Sequence, residues 1–148
     1  MFEIESKNPE EIIITTKKGA IKFDVENAVI DAGLAVGKIT GPGEFEIGDV
    51  TIRGILTESH KTIYEAEISG VHVGILGGIE ENLDDIVAEI LCTSSVRAIR
   101  EIEPKLVVAM GNVDAMVSDL KLTARTEKKL KIKNLESLPA TKEVVVLN

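Results

Sequence analysis

Apolar and polar residues alternate through much of the first two-thirds of the chain, and turn residues fall between the alternating runs. Ile12 to Thr16 and Ala20 to Val25 flank Lys17-Lys18-Gly19, where a glycine can take a positive φ without steric cost; this predicts a hairpin. Phe45 to Ile47 and Val50 to Ile55 flank Gly48-Asp49, and Thr62 to Ile68 and Val71 to Leu76 flank Ser69-Gly70, which predicts two more. Between them, Thr40 to Glu44 stacks Gly41, Pro42 and Gly43 into a bend that sets a weakly patterned N-terminal third apart.

The pattern changes after Leu83. Ile86 to Leu91 reads as a buried strand, and Thr93, Ser94 and Ser95 offer an N-cap for a helix whose Val96, Ile99 and Ile102 recur at helical spacing. Pro104 stops that helix, and Lys105 to Met110 is again β-branched and apolar, so a βαβ unit is predicted. A further helix is predicted around Leu122 to Lys129, with closing strands at Leu130 to Lys133 and Val144 to Leu147. The expected fold class is therefore β-rich α/β (α+β), with consecutive hairpins followed by a βαβ-like unit. No repeat or linker divides residues 1–148, so one domain is expected.

Composition narrows the function classes. With 148 residues the chain can bury about two-thirds of its unfolded surface, and the core must be aliphatic, because aromatic residues make up only 3%. A net charge of −8 opposes binding to nucleic acid or to an anionic membrane. One cysteine, Cys92, leaves no intramolecular disulfide, and no signal segment opens the chain, which points to the cytoplasm. The apolar runs fall far short of the ~20 residues that cross a bilayer.

Four segments in order, Gly41 to Ile55, Lys61 to Gly78, Ile102 to Asn112 and Lys129 to Leu147, resemble the central and C-terminal parts of the metallo-β-lactamase superfamily, in its short prokaryotic "Zn-dependent hydrolase" branch. The resemblance implies an αββα sandwich with one or two divalent metals, usually zinc, at a sheet edge, and hydrolysis of a phosphodiester, lactone or similar ester by a metal-bound hydroxide. Residues 1–40 match poorly, which implies a shortened N-terminal part and a reduced sandwich.

The resemblance also implies a lost metal site. The chain has two histidines, none before position 60, so the family's His-x-His-x-Asp-His loop has no counterpart. Where relatives carry a His-Leu-Gly-Asp-Leu-Gly-His pattern this chain reads Ile75 to Glu81, so the bridging carboxylate falls on Gly78 and the trailing histidine on Glu81. Where relatives read Pro-Met-His, this chain has Ala109, Met110 and Gly111. Gly78, Glu81 and Gly111 are thus expected to be vestigial site positions, with no catalytic residue, metal ligand or cofactor.

Other chemistry is weaker. His60, His72 and Cys92 with a carboxylate are the donors a mononuclear site would need, yet no pair shows ligand spacing. Cys92, placed before a helix N-terminus, would become a nucleophile for acyl transfer only with His72 in hydrogen-bond reach; an inert core thiol is the simpler reading. Gly74 to Gly78 matches neither a P-loop nor a dinucleotide fingerprint, and Glu80, Glu81, Asp84 and Asp85 read as solvated. Lys121 to Lys133 is one concentrated basic region, read as a solvated face. The preferred function is a non-enzymatic binding or structural protein with no assigned ligand; the alternative is the metal-dependent hydrolase. Missing cover over an apolar sheet or helix face costs ~25 cal/mol per Å², so self-association into a homodimer or larger oligomer is expected.

Overall fold

The computed structural model describes residues 1–33 and 36–148. Two sheets stack face to face. The first holds β1 (Phe2–Glu5), β2 (Glu11–Thr16), β3 (Gly19–Asp24), β4 (Val29–Asp31), β5 (Lys38–Thr40) and β13 (Leu130–Ile132), in the order β13-β1-β2-β3-β4-β5. The second holds β6 (Gly43–Ile47), β7 (Val50–Leu56), β8 (Thr62–Ile68), β9 (Val71–Gly77), β10 (Ile90–Thr93), β11 (Leu106–Ala109), β12 (Thr123–Glu127) and β14 (Glu143–Leu147), in the order β12-β14-β11-β10-β9-β8-β7-β6.

Local alternation builds the antiparallel half. In β2, Ile12 and Ile14 are buried while Ile13 and Thr15 are only half-buried, and in β3 Ile21 and Phe23 face inward while Lys22 and Asp24 face out. The three expected hairpins β2–β3, β6–β7 and β8–β9 all form, with Thr16 opposite Gly19, Ile47 opposite Val50 and Ile68 opposite Val71. Gly41 and Pro42 carry the chain from β5 in one sheet to β6 in the other.

In the eight-stranded sheet the strands after β9 run parallel. β10 lies between β9 and β11, and the helix α1 (Val96–Ile102) connects β10 to β11, as the βαβ pattern requires. β10, β11 and β14 are near-continuous apolar runs because both faces are covered. One cluster, including Ile14, Phe23, Tyr64, Val73, Cys92 and Val108, fills the space between the sheets. A second, including Ile63, Leu76, Leu91, Val107 and Val144, packs against α1 and against α2 (Val113–Leu120) on the outer face of the eight-stranded sheet. The chain is thus an α/β sandwich.

The outer face of the six-stranded sheet carries Glu3, Glu5, Thr15, Lys22, Asp24, Asp31 and Lys38, none of them buried. Charge on alternate positions lets this face meet water directly. Ile13 and Val29 stand half-buried among these polar side chains, so the face is mainly polar and not the apolar one expected from the sequence. Among the described residues the exposed large apolar side chains are Met1, Val36, Leu56, Val87 and Val117, spread along the chain.

Two sequence expectations are corrected. Residues 122–129 are not helical: Thr123–Glu127 is the strand β12, parallel to β14 with Thr123 opposite Glu143 and Glu127 opposite Leu147. The ladder with β14 outweighs the helix propensity of Leu122, Arg125 and Lys128, and β-branched Thr123 and Thr126 suit it. The second helix lies earlier, at Val113–Leu120, where Met116 is its buried anchor. The buried strand expected at Ile86 to Leu91 begins at Ile90; before it, Ile86 and Ala88 pack over Gly74 without joining the ladder. No helix among the described residues is long and apolar enough to cross a membrane.

Candidate functional site at the carboxyl ends of the parallel strands

In sheets with parallel strands, ligands bind outside the carboxyl ends of those strands, where the connecting loops converge. Here β9, β10 and β11 end at Gly77, Thr93 and Ala109, and their loops are tied together at that edge. The Thr93 Oγ1 hydroxyl and the Ser94 amide both donate to the Gly77 carbonyl, at 2.8 and 2.9 Å. The Met110 amide donates to the Thr93 carbonyl at 2.9 Å, and Asn112 Nδ2 to the Ser94 carbonyl at 3.1 Å. Gly77 makes the first turn possible: its φ is +58°, and a Cβ there would sit 3.1 Å from Val25 Cγ1 of the facing sheet.

Ser94 lies at the centre. A Cβ built on Gly78 would stand 3.2 Å from Ser94 Oγ, and one on Gly111 3.9 Å from Ser94 Cβ. The fold therefore brings together two of the three positions singled out from the sequence, and neither has a side chain. Ser94 itself was readable only as a potential helix cap, and the cap proves to be Ser95, whose side chain accepts from the Ala98 amide at 3.0 Å. Its role as the meeting point of three loops depends on register, which spacing along the chain does not reveal.

The third position, Glu81, is engaged elsewhere. Its carboxylate accepts from the Ser59 hydroxyl and, at 2.9 Å, from the Ser59 amide. These two bonds, then the Thr57 hydroxyl and the Lys61 charge, pull its pKa down from 4.5 to about 2. The neighbouring Glu80 accepts from the Ser95 hydroxyl. Asp84 and Asp85 are exposed, Asp85 accepting from Asn82 Nδ2 at 3.1 Å.

The remaining candidates are dispersed. His60, exposed and at φ +61°, lines a cleft of about 600 Å³ between the sheets together with Gly78, Ile79, Lys61, Glu10 and Glu26. His72 stands half-buried on the outer face of β9, away from that cleft. Its Nδ1 is 3.2 Å from Glu89 Oε1 and its Nε2 3.5 Å from Glu67 Oε2, so the two carboxylates sit on opposite ring nitrogens and do not converge with it on one point. Cys92 is fully buried between the sheets, and burial drives its thiol pKa far above the ordinary value. Desolvation keeps this thiol neutral, a neutral thiol is a poor nucleophile, and His72 lies on the opposite face of the sheet.

A divalent zinc ion takes about four N, O or S donors. At the strand ends glycine occupies two of the positions, Glu80 and Glu81 are held by serines, and the nearest imidazole is the single exposed His60. Among the described residues no group of three or more His, Cys, Asp or Glu side chains is arranged to hold a metal ion. The residues present do not fit the metal that the sequence resemblance implies.

No family model matches the chain, and no curated protein matches it. Among solved structures it is similar to the crystal structure of a candidate Zn-dependent hydrolase of the metallo-β-lactamase superfamily from Thermotoga maritima, with a TM-score of 0.67 at 17% sequence identity. The fold is metallo-β-lactamase-like. The superposition covers 99% of each chain, so the two have nearly the same length and the likeness extends over residues 1–40, where the sequence resemblance is poor.

Proposed function

We propose that this chain is a non-catalytic member of the metallo-β-lactamase fold, which keeps the sandwich and the convergent loops of the site but acts as a binding or structural protein. One observation carries the reading: Gly78 and Gly111 converge on Ser94, and among the described residues its hydroxyl is the one side-chain donor close to either glycine, a poor ligand for a divalent cation unless supported by carboxylates or imidazoles. Hydrolysis by a metal-bound hydroxide requires that the ion be held with an open position facing the substrate, and nothing at these strand ends would hold it so.

What remains is a mixed polar cleft. Glu10 and Glu26 bring negative charge, Lys61 positive charge and His60 an imidazole, while Val25 and Ile79 supply apolar wall. Such a lining suits recognition of a small polar molecule by orientation without covalent chemistry.

The test is elemental analysis by mass spectrometry of protein purified without chelator. The reading expects zinc, manganese and iron well below one ion per chain. Stoichiometric metal, together with metal-dependent cleavage of a phosphodiester or lactone, would establish the hydrolase instead.

A further inference from the structure

The two free edges of the eight-stranded sheet carry opposite charge. At one end, β6 pairs only with β7, in a register that places Glu44 beside Arg53 and Glu46 beside Thr51. The next pairing continues these rows with Glu65 and Glu67. All four carboxylates line an open groove of about 430 Å³, beside Phe45 at the strand edge. Arg53 is the one cation in its lining and is taken by Glu65 at 3.2 Å; Glu44 and Glu46 have no cationic partner among the described residues.

At the other end, β12 pairs only with β14, and all five of its residues are exposed. The segment 121–133 holds six of the chain's 17 Lys and Arg residues against one acid. Arg125 is held by Glu143 and Glu127, and Lys129 by Glu3. Lys121 and Lys128, which bracket the strand, have no carboxylate partner among the described residues.

A strand edge with unpaired backbone groups is a template for another strand, and charge is the usual means of blunting it. Here the charge works selectively. Two β12 edges repel one another, as do two β6 edges, but β12 of one molecule and β6 of another attract. The two strands also match in length, at five residues each.

We propose that a second copy of this chain docks its basic strand β12 against the acidic β6 edge and its groove, head to tail, extending the sheet from one molecule into the next. The proposal is independent of whether the chain binds metal. Because the two surfaces differ, the contact is heterologous, and repetition gives a ring or an open row in place of a two-fold dimer.

Sedimentation velocity on the intact protein, over a range of concentrations and at ionic strengths from about 0.05 M to about 0.5 M, tests this. Mass should grow with concentration at low salt and fall back at high salt. The double reversals Lys121→Glu with Lys128→Glu, and Glu44→Lys with Glu46→Lys, should each weaken association by about tenfold or more, since each removes two surface ion pairs and makes like charges face. An equimolar mixture of the two variants should associate again, because each then offers what the other lacks. A monomer at every concentration and salt would overturn the proposal. So would an assembly indifferent to salt, or one that the groove reversal dissolves and the strand reversal leaves intact. Circular dichroism checks the fold of both variants, and the salt series on the unaltered protein decides the matter if either fails to fold.

Discussion

Tyr64 is the residue whose chemistry is least at ease in its surroundings. Its ring packs against Phe23 at 5.6 Å between centroids, and burial, with a smaller contribution from Asp24, pushes its pKa up to about 12. Its hydroxyl is buried with no hydrogen-bond partner among the described residues. An unmet buried donor costs about 1–3 kcal/mol, so Tyr64→Phe should be neutral or stabilising in denaturant unfolding, by up to about 1 kcal/mol. A loss of stability would mean that the hydroxyl is bonded, most simply to an internal water. Cys92 shows the other effect of burial: its modification by a thiol reagent should be negligible in native protein near neutral pH and complete once the protein is unfolded.

Glu81 presents the opposite case. Its folded pKa lies below the ordinary 4.5, so it favours the folded state above that value, and the contribution is lost as the pH falls from 4.5 towards 2. The carboxylate is open to solvent, which keeps the effect on stability small. The direct readout is its titration by NMR: Ser59→Ala, which removes the hydroxyl bond and keeps the amide one, should move the midpoint upward, and an unchanged midpoint would show that the Ser59 hydroxyl does not set it.

At the scale of elements, packing sets costs that alternation alone does not reveal. A Cβ on Gly74 in β9 would approach Leu91 Cδ1 to 2.9 Å, Ala88 Cβ to 3.2 Å and Ile86 Cγ2 to 3.3 Å, all on buried residues. Gly74→Ala should therefore cost about 1–3 kcal/mol in chemical denaturation, despite alanine's lower backbone entropy. Ser95→Ala should cost about 1–2 kcal/mol by removing the α1 cap.

The same elements show how much of the fold could be read in the sequence. The three hairpins and the β10-α1-β11 unit were legible because alternation, turn glycines, a serine cap and Pro104 are local signals. β1, β4 and β5 were missed, being only three or four residues long and so too short for alternation to stand out. β12 was mistaken for a helix because its partner β14 lies about twenty residues on, and only that pairing makes Thr123–Glu127 extended. Of the candidate site, Gly78 and Gly111 could be singled out in the sequence, whereas their convergence on Ser94 follows from the parallel register of three strands.

For the molecule as a whole, charge placement replaces the apolar surface that the sequence led one to expect. The six-stranded sheet turns charged residues to water and needs no helical cover, so any self-association should be electrostatic and salt-sensitive rather than driven by apolar burial. We propose that the loops at the carboxyl ends of β9, β10 and β11 do not hold a metal ion. A ligand that binds only the folded state raises its melting temperature by mass action, by several kcal/mol of stability at a hundredfold excess over Kd. Thermal unfolding of metal-free protein titrated with zinc is therefore the most direct measurement. The transition should stay where it is through one equivalent and beyond; a rise in Tm of several degrees that saturates at one zinc per chain would show that these loops hold the ion.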